Sequence, residues 1–354
     1  MFHTAGYHAY AQGSGEGEAY LVVVGDRRRG LAWPYLLRAV ADVAELAGSD
    51  ATDVTSVYGY PGPLAWGCTP GDQFPARAWS EVRAVWREQG AVAAFTRFHP
   101  LLDNASLLSG VSWPAELCDG PGPVVAAGLT VSVDCTLGDE ATRAGYGESH
   151  RREIDASHRS GLITLEDEDW TETATFARLY RETMVRSGAS EYYLWDKADF
   201  ERLRGALSGN LHLLVTLSGN AVAAAGLFTE FEGIVQWYLA GSSEAFRARS
   251  PTKVLVDDAI RWARERGNSV LHLGGGRGGH EDSLLWFKGR FSPRRHQFYT
   301  GRWVLDLPEY LALVQARLAG QPGTAISDEG FFPRYRAPVA DQAHSRGADE
   351  RSVG

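Results

Sequence analysis

A run of glycines and a cluster of cations follow each other in the last third of the sequence. The run is His272-Leu-Gly-Gly-Gly-Arg-Gly-Gly-His280, and the stretch between Trp286 and Trp303 then holds five basic residues and no acidic one. Glycine lets a ligand approach the backbone closely. Cations set among aromatic rings suit a ligand that carries phosphates and bases, as single-stranded nucleic acid does. A loop without a ligand and a solvated basic face remain the alternatives.

Lysine is rare in this chain, and one lysine lies in the basic stretch. Only Lys197, Lys253 and Lys288 are lysines among 35 basic residues, so the sequence strongly favours arginine. Lys288 follows Phe287 and precedes Gly-Arg-Phe. A lysine that persists against this bias indicates a role for its ammonium group, which differs from a guanidinium in charge distribution and in ease of deprotonation. An ordinary surface lysine is the alternative.

The composition bounds the class of protein. The chain has 354 residues, 44% of them hydrophobic and 22% charged, which is typical of soluble globular domains and excludes a disordered or fibrous protein. The net charge of −9 confines any RNA contact to a local patch and disfavours DNA binding. Three cysteines, at 68, 118 and 135, match neither a zinc site nor a disulfide framework. With no secretory leader and no long apolar run, we expect a cytoplasmic protein without membrane insertion.

Strands and helices alternate along the chain. The first half predicts a hairpin at 18–38, a helix at 75–90 and a strand at 91–99. The second half predicts further elements, with Ser250 as a helix N-cap and Pro251 in the first turn. They are a short basic helix at 149–157, helices at 170–187, 199–207 and 253–266, a hairpin at 211–229, and strands at 234–240 and 269–276.

Both halves share the order hairpin, strand, helix, strand, which predicts a duplicated architecture. We therefore expect an α/β fold of two tandem modules, each with a mixed β-sheet. The expected first domain is 1–148 and the second, which carries the glycine run and Lys288, is 149–335. Residues 336–354 lack periodicity and predict a disordered tail.

Several segments together resemble the FemAB-like transferases, which use aminoacyl-tRNA as donor and consist of two GNAT-like domains. In the second half the resemblance lies in Trp237-Tyr-Leu-Ala-Gly-Ser242, in the glycine run and in Phe287-Lys-Gly-Arg-Phe291. In the first half it lies in Tyr58-Gly-Tyr-Pro-Gly-Pro63 and in Phe95-Thr-Arg-Phe-His-Pro-Leu-Leu-Asp-Asn104. The resemblance covers most of the chain, and Phe-Lys-x-x-Phe is its most specific motif.

The resemblance implies roles for particular residues. Lys288 matches a lysine beside the reacting ester, where an ammonium stabilises the oxyanion that forms as an amine attacks. Tyr238 matches a tyrosine of the same cleft, and we expect Lys288 and Tyr238 to be catalytic. The remaining candidates are Phe287, Gly274, Gly275 and Gly276 in the donor pocket, Arg290, Arg294 and Arg295 at the tRNA, and Tyr60, Arg97, Asp103 and Asn104 at the acceptor.

The implied activity is amide formation between the amino acid of aminoacyl-tRNA and an acceptor amine on a peptidoglycan precursor, a natural product or a peptide. It needs no metal and no cofactor besides the co-substrate. Two alternatives remain: an acyl-CoA-dependent N-acyltransferase and a non-catalytic GNAT-like binding protein. The loop at which GNAT enzymes bind the CoA pyrophosphate corresponds to Arg247-Ala-Arg-Ser-Pro-Thr252. It lacks the small residues, and Pro251 has no N–H to offer an anion.

Overall fold

A computed structural model describes residues 1–68, 72–109, 111–114, 122–319, 325–326 and 330–340. The chain divides into two compact units. We call Gly128–Gln297 the central unit, and Phe2–Ala127 with Phe298–Gly354 the terminal unit. The chain thus leaves the terminal unit, completes the central one and returns.

The secondary structure is mixed throughout. In chain order the helices and strands are α1 (Ala5–Gly13), β1 (Glu18–Gly25), β2 (Gly30–Ala39), β3 (Thr52–Thr55), β4 (Leu64–Trp66), α2 (Phe74–Glu88), β5 (Ala91–Arg97), β6 (Val124–Asp134), α3 (Asp139–Ala144), α4 (Glu148–Arg159), β7 (Leu162–Glu166), α5 (Thr173–Arg186), α6 (Lys197–Leu207), β8 (Leu211–Ser218), β9 (Ala221–Phe231), β10 (Ile234–Ser242), α7 (Pro251–Glu265), β11 (Val270–Gly275), α8 (Ser283–Gly289), β12 (Arg295–Val304), α9 (Leu307–Ala319), β13 (Ala325–Ile326) and β14 (Val339–Ala340).

The terminal unit contains a mixed sheet in the strand order β1-β2-β3-β5-β12, with β4 also paired to β2. Strands β3 and β5 run parallel, and the segment that connects them contains helix α2. Among the described residues, the pairs β1–β2, β2–β3, β2–β4 and β5–β12 are antiparallel. A parallel pair needs such a crossover because the chain must return to the same end of the sheet.

Tryptophan dominates the core of the terminal unit. Trp33, Trp79, Trp86 and Trp303 are almost completely buried, and the ring centroids of Trp79 and Trp303 lie 4.7 Å apart. Burying an aromatic side chain of this size stabilises the fold by roughly 4–6 kcal/mol as an upper estimate. Trp303 comes from β12, so this core requires the segment that follows the central unit.

In the central unit the strands follow the order β6-β11-β10-β9-β8-β7. Here too one pair is parallel, β10 with β11, and helix α7 connects the two strands. The apolar face of α7, which includes Leu255, Ala259 and Ile260, is buried in one core with residues of β6, β9, β10 and β11. This spacing of apolar residues is the signature of a helix with one buried side.

The structure confirms the expected α/β fold with mixed strand pairing in each unit, and each element predicted above has a counterpart within a few residues. Helices α1, α3, α8 and α9 and strands β6, β7 and β12 are among the elements that were not predicted. Strand pairing between residues far apart in sequence leaves little local signal.

The expected boundaries differ from the observed division. The first unit ends at Ala127, rather than at residue 148, and the chain returns to it at Phe298. Helices α3 and α4 belong to the central unit. Arg143 of α3 and Tyr146, which lies between the two helices, bond to Asp257 of α7.

The expected tail begins too early. Arg336 pairs with buried Asp53 and donates to the carbonyl of Ala39 at 2.7 Å, and Ala337 is buried. Residues 336–340 therefore belong to the ordered terminal unit, a correction to the prediction. The rest of the expected tail, 341–354, lies outside the described residues.

Candidate active site

Helix α8 carries the two most specific residues of the predicted motif, Phe287 and Lys288. Asp282 caps it: its carboxylate accepts hydrogen bonds from the backbone N–H groups of Leu284 and Leu285 at 3.0 and 2.9 Å. An aspartate in this position satisfies donors that the first helical turn leaves unpaired. The start of the helix, and so the position of Lys288, is fixed by one side chain.

The glycine run connects β11 to this helix. Gly274 has a φ of 78°, which disfavours other residues. A Cβ at Gly276 would lie 2.1 Å from the carbonyl oxygen of His280 and 2.5 Å from Asp282 Oδ1. Gly275 is buried, and its carbonyl faces Lys288. Part of the glycine requirement is therefore structural, because the turn packs directly onto the cap of α8.

Lys288 is held inside the central unit. Its side chain is 9% exposed, and Nζ donates to the carbonyl oxygen of Gly275 at 2.7 Å. Nζ also lies 5.5 Å from the centroid of the Trp237 ring, within the range of a cation–π interaction. An ammonium has three donors, and one is used by Gly275. This arrangement presents a fixed positive charge in a largely dry environment.

Burial sets the protonation of this lysine. Loss of hydration lowers the pKa of Lys288 to about 8, and the negative charge of Asp282 opposes the decrease. The amine is thus mostly protonated at neutral pH and loses its proton within a mildly alkaline range. Perturbed pKa values of this kind cluster at functional sites.

Strands β10 and β11 stop pairing with each other close to Lys288. The parallel ladder of β10 and β11 joins three residue pairs, the last being Gln236 with His272, and both strands continue beyond it. Each strand is then irregular: the β10–β9 register shifts between Trp237 and Leu239, and the β11–β6 register between His272 and Gly274. Bulges bend strands and re-aim side chains, often next to active sites.

Tyr238 is the extra residue of the β10 bulge. It is half-buried, and its ring centroid lies 6.3 Å from that of Trp195. The ring that contacts Lys288 is that of the preceding residue, Trp237. Trp237 belongs to one of the motifs named above, but no role was predicted for it, because its contact with Lys288 leaves no local signal in the sequence. The catalytic role of Tyr238 stays a prediction.

Phe287 forms an aromatic wall beside the lysine. Its ring centroid lies 6.4 Å from Trp237, 5.4 Å from His150 of α4 and 5.5 Å from Phe291. Phe287 and Trp237 also pack against the hydrophobic core of the central unit. Phe287 therefore lies next to the ring that contacts Nζ, and its role in a donor pocket stays a prediction.

The three arginines predicted at the tRNA each have a partner within the central unit. Arg290 donates to Ser149 Oγ at 3.3 Å, and Arg294 pairs with Asp134 at 2.8 Å. Arg295 donates to the carbonyls of Ser292, Gly289 and Arg294, at 2.6, 3.2 and 3.3 Å. Arg294 and Arg295 are exposed. Their role at an RNA stays a prediction, and these contacts give each of them a structural role as well.

The four predicted acceptor residues all belong to the terminal unit. Asn104 is buried; it accepts a hydrogen bond from the N–H of His99 at 2.7 Å and donates to the carbonyls of Pro61 and Pro63. It therefore ties two loops together. Half-buried Tyr60, half-buried Arg97 and exposed Asp103 lie at the ends of those loops.

The N-terminus of α7, where GNAT enzymes bind a pyrophosphate, holds a carboxylate of this chain. Glu153 of α4 accepts hydrogen bonds from Ser250 Oγ at 2.8 Å and from Lys253 Nζ at 2.6 Å. The Lys253 bond lowers the pKa of Glu153. Pro251 begins the helix as predicted, but Ser250 makes no capping bond, because its hydroxyl binds Glu153 instead.

One group of side chains could be considered for a metal. The ligand atoms of His158, Asp257 and Asp258 lie within 4.8 Å of one another. However, Arg143 donates to both oxygens of Asp257 at 3.2 and 3.1 Å, and Arg261 lies 3.3 Å from Asp258. Cations that already neutralise the carboxylates disfavour a divalent ion. The group fits a buried ion-pair network, in which the Asp257 hydrogen bond raises the pKa of His158.

Comparison with known proteins identifies the fold. Residues 146–282 match the family model described as the acetyltransferase (GNAT) domain. The structure of FemX aligns with a TM-score of 0.66 at 14% identity, covering 87% of this chain and 93% of FemX. The chain has the fold of FemX.

Two further structures align with most of the chain. The C-terminal domain of a putative lysylphosphatidylglycerol synthetase from Agrobacterium fabrum aligns with a TM-score of 0.52 at 16% identity, over 86% of this chain and 90% of that one. L-PGS from Bacillus licheniformis gives 0.52 at 14% identity, over 89% and 96%. No curated protein sequence matches the chain. Among the described residues, no helix is long and apolar enough to cross a membrane.

Proposed function

We propose that this protein is a cytoplasmic aminoacyltransferase that joins the amino acid of an aminoacyl-tRNA to an acceptor amine. The observation that supports this most is Lys288, a buried ammonium fixed by Gly275 and Trp237 where β10 and β11 separate. The FemAB-like fold agrees with the motif resemblance, and a lysylphosphatidylglycerol synthetase of that fold is, by its name, concerned with a lysyl product.

The positive charge of Lys288 suits the formation of an amide from an ester and an amine. The acceptor nitrogen attacks the ester carbonyl carbon, forming a C–N bond and an oxyanion. The intermediate then expels the ribose oxygen of the tRNA, which takes up a proton as the nitrogen loses one. Lys288 stabilises the oxyanion more than the neutral ester, so its contribution is larger in the transition state than in the ground state. The proposed reaction uses no metal and no cofactor besides the aminoacyl-tRNA.

Other residues have supporting roles in this proposal. Phe287 lines the donor side together with Trp237, and Tyr238 contributes a hydroxyl from the bulge. The carbonyl of Gly275 holds Lys288, and the backbone of Gly274–Gly276 is the candidate contact for the aminoacyl group. Arg290, Arg294 and Arg295 supply positive charge for the RNA. Tyr60, Arg97 and Asp103 of the terminal unit are the acceptor candidates, with Asn104 positioning their loops.

The arrangement at α7 favours aminoacyl-tRNA over acyl-CoA as the donor. A helix N-terminus attracts anions through its unpaired N–H groups. Here the polar side chains of the first turn, Ser250 and Lys253, already bind the carboxylate of Glu153. A pyrophosphate would meet this negative charge and would have one donor fewer at Pro251.

The test combines binding with turnover. Purified protein is assayed for binding of charged tRNA and of acetyl-CoA, and then for amide formation with a panel of amines. We expect salt-sensitive tRNA binding, and a roughly 10²- to 10³-fold loss of turnover in Lys288→Ala at saturating donor. Lys197→Ala, an exposed lysine paired with Glu201, is the control. Full turnover by Lys288→Ala would refute the role of that lysine, and CoA binding alone would return the protein to the acyl-CoA enzymes.

A further inference from the structure

Trp286 lies on the surface of α8, next to the proposed site. It is 62% exposed, and no other large apolar side chain in the described ranges is more exposed. Its neighbours in the helix are buried or half-buried, including Lys288 two residues later. Exposing an aromatic ring of this size to water is unfavourable. An exposed ring on a short, firmly capped helix therefore suggests a ligand.

A cation holds this ring in place. The Cζ atom of Arg290 lies 5.4 Å from the Trp286 centroid, one helical turn further along α8. Arg290 is itself fixed by its bond to Ser149, and a Cβ at Gly147 would lie 2.1 Å from the guanidinium carbon. His150 meets the ring edge-on, with centroids 6.3 Å apart. These contacts order the ring and still leave most of it accessible.

We propose that Trp286 and Arg290 form a stacking site for a base of the unpaired 3′ end of the donor tRNA. A flat ring beside a guanidinium is the combination that binds single-stranded nucleic acid, because every base has a π-face and every nucleotide a phosphate. The positive charge matches the RNA backbone, and exposed Arg151 extends from the same turn of α4 as His150, whereas neighbouring Arg152 pairs with Glu148. The inference rests on the proposed function.

The geometry separates this role from that of Lys288. Residues two positions apart on a helix point to different sides, so Trp286 faces solvent while Lys288 faces the interior of the unit. The stacking site therefore contributes to affinity for the RNA and not to the chemical step. Loss of Trp286 should raise the KM for aminoacyl-tRNA and leave kcat unchanged, whereas loss of Lys288 should lower kcat.

The test uses the full chain and a short RNA hairpin with a four-nucleotide 3′ overhang, compared with the same hairpin whose overhang nucleotides are abasic. We expect Trp286→Ala to weaken binding of the first RNA by about 5- to 150-fold and to leave binding of the abasic RNA unchanged. Trp286→Phe should retain most of the affinity, because phenylalanine also stacks. Leu165→Ala, which removes another exposed apolar side chain, is the matched control.

The outcomes are distinguishable. Equal binding of the overhang RNA by wild type and Trp286→Ala would overturn the stacking site and leave the proposed function intact. An equal loss on both RNAs would also overturn it, because the effect would not depend on a base. If the wild-type protein binds neither the hairpin nor charged tRNA, the proposed function fails and the stacking site with it.

Discussion

Lys288 carries an ammonium group and is buried, and these two properties oppose each other. Burial weakens the hydration of its ammonium group and lowers the pKa to about 8. The carbonyl of Gly275 and the Trp237 ring replace part of that hydration. A lysine that served only stability would be more favourable at the surface, so its position argues for function.

The burial of Lys288 has a measurable effect on stability. In the unfolded chain its pKa is near 10.5, so between about pH 8 and 10.5 the unfolded state binds more protons than the folded state. The free energy of unfolding should therefore rise with pH in this window, by roughly 3 kcal/mol at most. Denaturant titrations of wild type and Lys288→Met, taken from pH 7 to 10.5, measure the difference.

Groups other than Lys288 titrate equally in both proteins and cancel in the comparison. Lys197→Met is the control, since Lys197 is exposed and paired with Glu201 at the surface; its curve should run parallel to that of wild type. Parallel curves for Lys288→Met would show that the folded protein does not depress this pKa.

The sequence contained enough to single out Lys288, but not its surroundings. Three lysines among 35 basic residues and a local Phe-Lys-x-x-Phe motif can be read directly. Asp282, followed by Ser-Leu-Leu-Trp, also carried a readable N-cap signal that was missed. The Trp237 contact and the Glu153 carboxylate are 51 and about a hundred residues from their partners, and single-residue patterns carry no such information.

At the scale of elements, the cap of α8 links helix formation to the charge of the site. Asp282 begins the helix, and its negative charge raises the pKa of Lys288. Asparagine also caps helices but is neutral. In Asp282→Asn we therefore expect a stable helix and a further decrease in the pKa of Lys288. The chain has three lysines, so NMR titration of protein labelled at lysine 13Cε resolves this group directly.

Asp282→Ala separates the two effects. It removes the charge and the cap together, and should lower the free energy of unfolding by about 1 kcal/mol, whereas Asp282→Asn should not. An unchanged Lys288 titration in Asp282→Asn would mean that the carboxylate acts on the helix alone.

The start of α7 yields a second prediction at this scale. Glu153→Ala frees the Ser250 hydroxyl and the Lys253 ammonium at a helix N-terminus, where anions are favoured. The variant should therefore gain affinity for inorganic pyrophosphate, which calorimetry would detect, while wild type binds none. Glu148→Ala, which removes an exposed glutamate of the same helix paired with Arg152, is the control. Equal pyrophosphate binding by wild type and Glu153→Ala would contradict the proposal that Glu153 keeps anions away from the start of α7.

At the scale of the whole molecule, the order of elements predicted a duplicated fold, and local patterns located most helices and hairpins. The division of the chain was predicted less well, because it depends on contacts between distant segments. Thr300–Val304 of β12 pair with β5, and Tyr335 and Arg336 bond to Asp53, almost three hundred residues earlier. A domain boundary predicted from local composition cannot show that the chain later re-enters the first unit, as it does at Phe298.

This interleaving predicts different behaviour for two fragments. The core of the central unit is formed entirely by residues between 128 and 297, so that fragment should unfold cooperatively and keep a Lys288 that titrates near pH 8. Residues 2–127 lack Trp303, whose ring is 5.7 Å from Trp33 in the aromatic core. They also lack Tyr335 and Arg336, which would leave the fully buried Asp53 with two partners fewer and with Arg38 as its remaining ion-pair partner.

We therefore expect fragment 2–127 to remain unfolded alone and to regain tryptophan burial when residues 298–340 are added in trans. Circular dichroism and tryptophan fluorescence during thermal unfolding would check both fragments. Cooperative unfolding of 2–127 by itself would mean that β12 and the segment after it contribute little to that core. Failure of 128–297 to fold would mean that the central core requires the terminal unit, although every buried residue in it comes from one continuous segment.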